Sequence, residues 1–155
     1  MKLEVWYNQR PANDLSDGDP AIYLETAEQL AAFLDHIVAA SQPGPVWPVI
    51  EVSLADNPAS PVIEAGLGPE HGYMIYHTSN DSGLSQGDPT RPGVATYDYM
   101  GNMREIPASA EVPVTQIRDG LREFLQDGRK PTTLRAPDRP GNPRPTGAQP
   151  DGRRD

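Results

Sequence analysis

Val94-Ala-Thr-Tyr-Asp-Tyr-Met-Gly-Asn102 leads through Glu105-Ile-Pro107 and Glu111-Val-Pro113 into Leu121-Arg-Glu-Phe-Leu125. The first part alternates as a tyrosine-rich strand, with Tyr97 and Tyr99 on one face and Asp98 on the other. Gly101-Asn102 ends it in a tight exit, where an Asn side chain bonding to backbone is expected. A proline-punctuated connection follows. Pro113 suits the first turn of a helix whose apolar stripe is Val114, Ile117, Leu121, Phe124 and Leu125, with Gly128 as its stop.

The same periodicities organise the rest of the chain. Leu3–Tyr7 and Ala21–Leu24 read as a strand pair joined by the turn-rich Asn13–Pro20. Thr26 and Gln29 form a capping box that opens a helix with Leu30, Phe33, Leu34, Ile37 and Val38 on one face. Pro43, Gly44 and Pro45 prevent its continuation. Val46–Leu54, Pro61–Ala65 and Gly72–Thr78 are further strands, and Pro131–Leu134 is read as a last short one. The fold class is α+β: a mostly antiparallel, curved sheet of about six strands with two helices packed on one face. Such a sheet leaves its other face or rim available to a partner. From Ala136 onward five Pro and three Gly occur with no large apolar side chain. That segment is read as a disordered tail, so the folded domain is 1–135 and 136–155 lies outside it.

Charge is distributed unevenly. Residues 1–100 carry 14 acidic side chains against three cations (Lys2, Arg10, Arg91), a net −11, within a chain of formal charge −9. This field repels nucleic acid and anionic membrane and attracts basic protein surfaces, although acidity also serves plain solubility. No cysteine is present, so disulfides and thiolate metal sites are excluded. No signal-like or membrane-spanning run occurs, and a cytoplasmic location is expected.

Catalytic signatures are not apparent. His36, His71 and His77 make no HxH, HxxxH or HExxH pattern. Glu51 and Glu64 lie on neighbouring strands, but acid–base work would need one of them in an apolar pocket. Gly83-Leu-Ser-Gln-Gly87 is a flexible loop without the lysine or helix of a phosphate site. The long Ser79–Gly93 segment reads by length and content either as a binding loop that presents carboxylates to a basic partner or as a mobile excursion. Contact candidates are Asp81, Asp88, Asp98 and Glu70 for charge, with Tyr76 or Tyr99 as desolvated anchors. No catalytic residue, metal or cofactor is expected.

Tyr97-Asp-Tyr-Met-Gly-Asn102, Glu111-Val-Pro113, Leu121-Arg-Glu-Phe-Leu125 and Gly128-Arg-Lys-Pro-Thr132 together resemble the first-numbered immunity-protein family of bacterial polymorphic toxin systems. Met103 and Leu134 depart from it, standing where members often carry aromatics. The resemblance implies a non-enzymatic protein that binds and neutralises a cognate toxin domain, commonly a nucleic-acid deaminase. An acidic inhibitor fits a toxin with a basic substrate groove. Two other readings stay open from the residues: a small-molecule-binding or enzymatic domain around Glu51, Glu64 and His71 or His77, and a subunit that homodimerises through the uncovered sheet face.

Overall fold

A computed structural model describes residues 1–7, 21–40 and 46–134. The Asn13–Pro20 turn, the Pro43-Gly44-Pro45 stop and the tail from Ala136 lie outside the described residues. The strands are β1 (Leu3–Trp6), β2 (Ile22–Leu24), β3 (Trp47–Leu54), β4 (Val62–Leu67), β5 (His71–His77), β6 (Ser82–Leu84), β7 (Val94–Tyr99), β8 (Asn102–Pro107) and β9 (Val112–Pro113). The helices are α1 (Ala27–Ala40) and α2 (Val114–Asp127). The main sheet has the order β2-β1-β3-β4-β5-β6 and every pair in it is antiparallel. This is the expected α+β class, with nine strands in place of about six.

The helices form where the local code asks for them. The Gln29 amide donates to Thr26 Oγ1 at 3.0 Å, and Gln29 Oε1 accepts from the Glu25 and Thr26 amides at 2.7 and 3.3 Å. Three donors near the start of α1 are thereby satisfied or shared. Leu30, Phe33, Leu34 and Ile37 then turn inward. In α2, Ile117, Leu121, Phe124 and Leu125 do the same, and the helix ends at Gly128. Both stripes pack on one face of the sheet, against Leu3, Val5, Ile50, Val52, Ile63, Ala65, Leu67, Met74 and Tyr76.

The other face departs from expectation, because part of it is covered. The segment after Asn102 is a strand and not a connection. β7 and β8 form a hairpin closed by Met100 and Gly101, both at positive φ (51° and 95°), as primed two-residue turns require. The bond that braces this turn comes from Asp98, whose Oδ1 accepts from the Gly101 amide at 2.7 Å; Asn102 instead begins β8. Parallel pairing of Trp47 and Pro48 with Tyr97 and Asp98 attaches the hairpin to β3. It folds across the sheet and buries a second core of Val49, Tyr73, Tyr97, Ile106 and Ala110.

The expected flexible loop is likewise tied down. β6 pairs with Ile75–His77 of β5. Beyond it, buried Ser85 accepts from the Met74 amide at 3.0 Å and donates to the Ala110 carbonyl at 2.7 Å. Gly87 donates to the Ser109 carbonyl at 2.7 Å. The edge of β5 is completed by β9, which pairs with His71 and Gly72. The expected last strand at 131–134 is a 3₁₀ turn over Thr132–Leu134, with the Leu134 amide bonded to the Pro131 carbonyl. A single tight turn suffices to drop Leu134 into the core.

Gly66 sets the approach of the hairpin. A Cβ there would lie 2.3 Å from the Tyr73 ring and 2.9 Å from the Tyr97 ring. Its absence lets both rings lie against the β4 backbone, edge to face with centroids 4.8 Å apart. Gly66→Ala is expected to destabilise the fold by about 1–3 kcal/mol through overpacking. Urea unfolding read by far-UV dichroism checks this, and a variant as stable as wild type would show that the hairpin can lift without penalty.

Candidate interaction surface

On the hairpin-covered face, successive strands bring Glu51, Glu64 and Ile75 into one cross-strand row. Glu64 is 8% exposed. A carboxylate so placed needs partners, and it has two. The Tyr73 hydroxyl donates to Glu64 Oε2, and Arg104 Nε on β8 donates to the same oxygen at 2.7 Å. A second tyrosine–carboxylate pair lies beside it: the Tyr97 hydroxyl donates to Glu111 Oε2 at 2.6 Å, and Arg91 approaches Glu111 Oε1 at 3.4 Å. Burial, then the hydrogen bond to its carboxylate, pushes each tyrosine hydroxyl far above its ordinary range, so both remain neutral donors. With Arg104 and Tyr73 both on it, the buried Glu64 carboxylate is engaged in contacts that tie β4, β5 and β8 together.

Glu51 has a different situation. It is half-buried, directly opposite Glu64 and beside Trp6 of β1. Burial, then the Glu64 charge, raises its pKa, while the charge of His77 opposes the shift. Among the described residues no cation pairs with Glu51, Glu4 or Asp56. Around Glu51 the sheet face is open. Trp6 is 40% exposed and Tyr23 is 56% exposed. Trp6 Nε1 donates to Glu4 Oε2 at 3.0 Å, and Glu4 lies between Tyr23 and Ser53 in register. Next to them a shallow depression is lined by Glu4, Ser53, Asp56, Asn57, Ser60 and Val62. Lys2, the nearby cation, sits 3.8 Å from Glu25 and 5.7 Å over the Tyr23 ring. The result is an acidic, aromatic platform on β2, β1 and β3, with the hairpin as its wall. Among the described residues, no His, Asp and Glu side chains gather as a metal site.

A family match covers most of the chain. The sequence model described as Immunity protein Imm1 matches residues 18–137. The chain belongs to the Imm1 immunity-protein family. No curated relative matches it. Membership makes the chain an immunity protein with a toxin protein as partner, from a family that is generally non-enzymatic. No helix among the described residues is long and apolar enough to cross a membrane.

In this Imm1 chain the contact candidates read from sequence do not gather in one place. Glu70 is exposed in the β4–β5 turn, where its carbonyl accepts from the Val114 amide at 2.8 Å. Asp81 lies at the other end of β5 and meets Lys130 at 3.4 Å. Asp88 is exposed after β6 and caps Thr90 through its amide and hydroxyl at 2.9 and 2.6 Å. Those two bonds lower its pKa, with a smaller contribution from Arg91. Asp98 is half-exposed on the outer face of the hairpin, and Tyr99 is half-buried against the second core. Tyr76 turns to the helix face, where it is 6% exposed with Lys130 near its ring, and so has little surface to give a partner. Trp6, Tyr23, Glu4 and Glu51 did not emerge from the sequence as a surface. The alternation of Leu3-Glu-Val-Trp-Tyr7 held the signal: it puts Glu4 and Trp6 opposite the core-facing Leu3 and Val5.

Two variants separate the roles of the paired glutamates. Arg104→Ala strands Glu64 beneath the hairpin and is expected to cost about 1–3 kcal/mol in chemical unfolding. Glu51→Gln is expected to raise the melting temperature at neutral pH. The unfolded chain ionises Glu51 near its ordinary value of 4.5, whereas the folded chain resists until higher pH. Charge on Glu51 therefore penalises folding as pH rises through that window. The gain from Glu51→Gln should vanish below pH 4.5. Melting curves across pH check this, and a gain that grows on acidification would contradict it.

Proposed function

We propose that this immunity protein neutralises its toxin by occlusion, laying an acidic surface over the basic groove with which the toxin binds nucleic acid. The observation that carries the reading is the family membership joined to a net −11 over residues 1–100. A nucleic-acid deaminase is the toxin type that fits this complementarity. An enzyme that binds a polyanion must present Lys and Arg around its active site. A folded polyanion competes for the same site and is drawn to it by the same field.

Within this mechanism the scattered carboxylates have a defined part. Asp88, Asp98, Glu70 and Asp81 shape the long-range field that steers encounter, a role that does not require them to share one patch. Tyr99, beside the hairpin turn, adds contact area at the edge of the platform.

Co-expression with the toxin domain encoded beside the chain tests the reading. Cells should be protected, and the two proteins should co-purify. Failure of both ends the proposal. Association measured by stopped flow should slow at least about tenfold between low and physiological salt, since exposed charges are screened beyond about 8–10 Å. An on-rate indifferent to salt would remove the charge-steering mechanism and leave occlusion by shape.

A further inference from the structure

We infer that the platform formed by Trp6, Glu4, Glu51 and Tyr23 is the docking site for an arginine of the toxin, whose guanidinium lies on the Trp6 indole and pairs with Glu51 and Glu4. This inference rests on the immunity reading and names the contact on which it turns.

The argument begins with a missing cation. Glu64 and Glu51 are direct cross-strand neighbours, and like charges so placed repel. Arg104 is close enough to Glu64 to neutralise it, at 2.7 Å. Lys2 is engaged with Glu25 and lies over the Tyr23 ring, at the β2 edge of the platform. Glu51, Glu4 and Asp56 are then left without an ion pair among the described residues. Among the described residues the opposing charge felt by Glu51 is that of His77, which offsets the repulsion from Glu64 only in part, and a cation from outside relieves the rest.

The surroundings specify which cation. Trp6 is directly opposite Glu51 in the β1–β3 register and 40% exposed, and its indole Nε1 is oriented by Glu4. An aromatic face flanked by two carboxylates suits a planar guanidinium, which stacks on the ring and donates to the acids from its own edges. A lysine ammonium offers the charge without the stacking. Tyr23, 56% exposed, extends the aromatic surface on one side. On the other, the parallel β3–β7 pairing directs the hairpin turn toward the Glu51 end of β3. The sheet platform and the hairpin together form a two-sided seat.

The alternatives fit less well. Nucleic acid and anionic lipid are repelled by the carboxylates. A second copy of this chain in a two-fold contact would set Glu4 and Glu51 against Glu4 and Glu51. A basic protein segment meets neither objection.

Binding of the neighbouring toxin domain to the full chain, measured by calorimetry, tests the site. Trp6→Ala and Glu51→Gln should each weaken binding at least about tenfold, as central anchors do. Glu51→Arg should weaken it further, and an arginine-to-glutamate scan of the toxin should contain a variant that restores binding to Glu51→Arg. Asp119→Asn on α2 removes the same charge on the helix side and should stay within about twofold. Retained thermal stability of Glu51→Gln separates lost contact from lost fold. If wild type binds and the Trp6 and Glu51 variants match it within about twofold, the docking site is wrong while the immunity reading stands. A dimer in sedimentation that disappears in Trp6→Ala, with toxin binding unchanged, would likewise assign the platform to a second copy. If wild type neither binds nor protects, both readings fall.

Discussion

Glu64 is a carboxylate nearly removed from water in the middle of a β-sheet, and the architecture of the second face is organised around meeting its needs. Transferring an ion out of water costs several kcal/mol unless it is paired and hydrogen-bonded. Tyr73 supplies one bond from the adjacent strand, and Arg104 supplies charge from a hairpin 40 positions away in sequence. That requirement fixes where β7 and β8 must lie. With Arg104 in place, Tyr97 sits edge to face on Tyr73, Gly66 clears the space beneath them, and Val49, Ile106 and Ala110 close around the rings. An ion pair by itself is weak support for a fold. Here it favours one register, because Arg104 is the one basic residue in the 94–107 hairpin and lies against Glu64 in this docking.

The same economy of cations explains the platform. Between residues 1 and 100 there are three basic side chains, so internal neutralisation of that region is impossible. Arg104 serves Glu64 from the more basic second half of the chain, and Glu51 is left beside it. A protein selected only for stability would replace Glu51 by an uncharged residue. Retaining a half-buried acid opposite another acid is the sort of local conflict that concentrates at functional surfaces. In the proposed docking a partner cation resolves the conflict, and the unfavourable energy of the free state becomes a source of affinity in the bound one.

How much of this was legible in the sequence followed the range of the interactions involved. The Thr26–Gln29 capping box and the stripes of α1 and α2 depend on neighbours within a few residues, and they appear where the periodicity put them. The β7–β8 hairpin was missed because Met100-Gly101 lacks the usual Asn-Gly or Asp-Gly pair, and because exposed Met103 and terminal Pro107 blur the alternation. Asp98, three residues before the glycine, does the bracing that an Asn was expected to do. Strand alternation assigns faces but does not say which face is buried. Tyr73 and Tyr76 lie on opposite faces of β5, and both are buried because both faces are covered there. The pairing of Glu51 with Glu64 could be suspected from strand order. The cation that distinguishes them could not, since it depends on a contact between elements with no periodic relation.

The placement of the platform on sheet strands bears on how inhibition can be both fast and durable. Long-range steering depends on net charge and tolerates carboxylates spread over turns and loops, as Glu70, Asp81 and Asp88 are. Slow dissociation depends instead on a desolvated anchor whose geometry does not have to be organised at the moment of binding. Trp6 and Glu51 project from paired strands in mid-sheet, next to a hairpin pinned by Arg104, so few rotatable bonds are left to order. In the proposed mechanism, charge in the loops and rigidity in the sheet divide the kinetic work between them. The division also implies that carboxylates in the turns can vary in position so long as the field is kept, whereas the anchor cannot move without moving the strand that carries it.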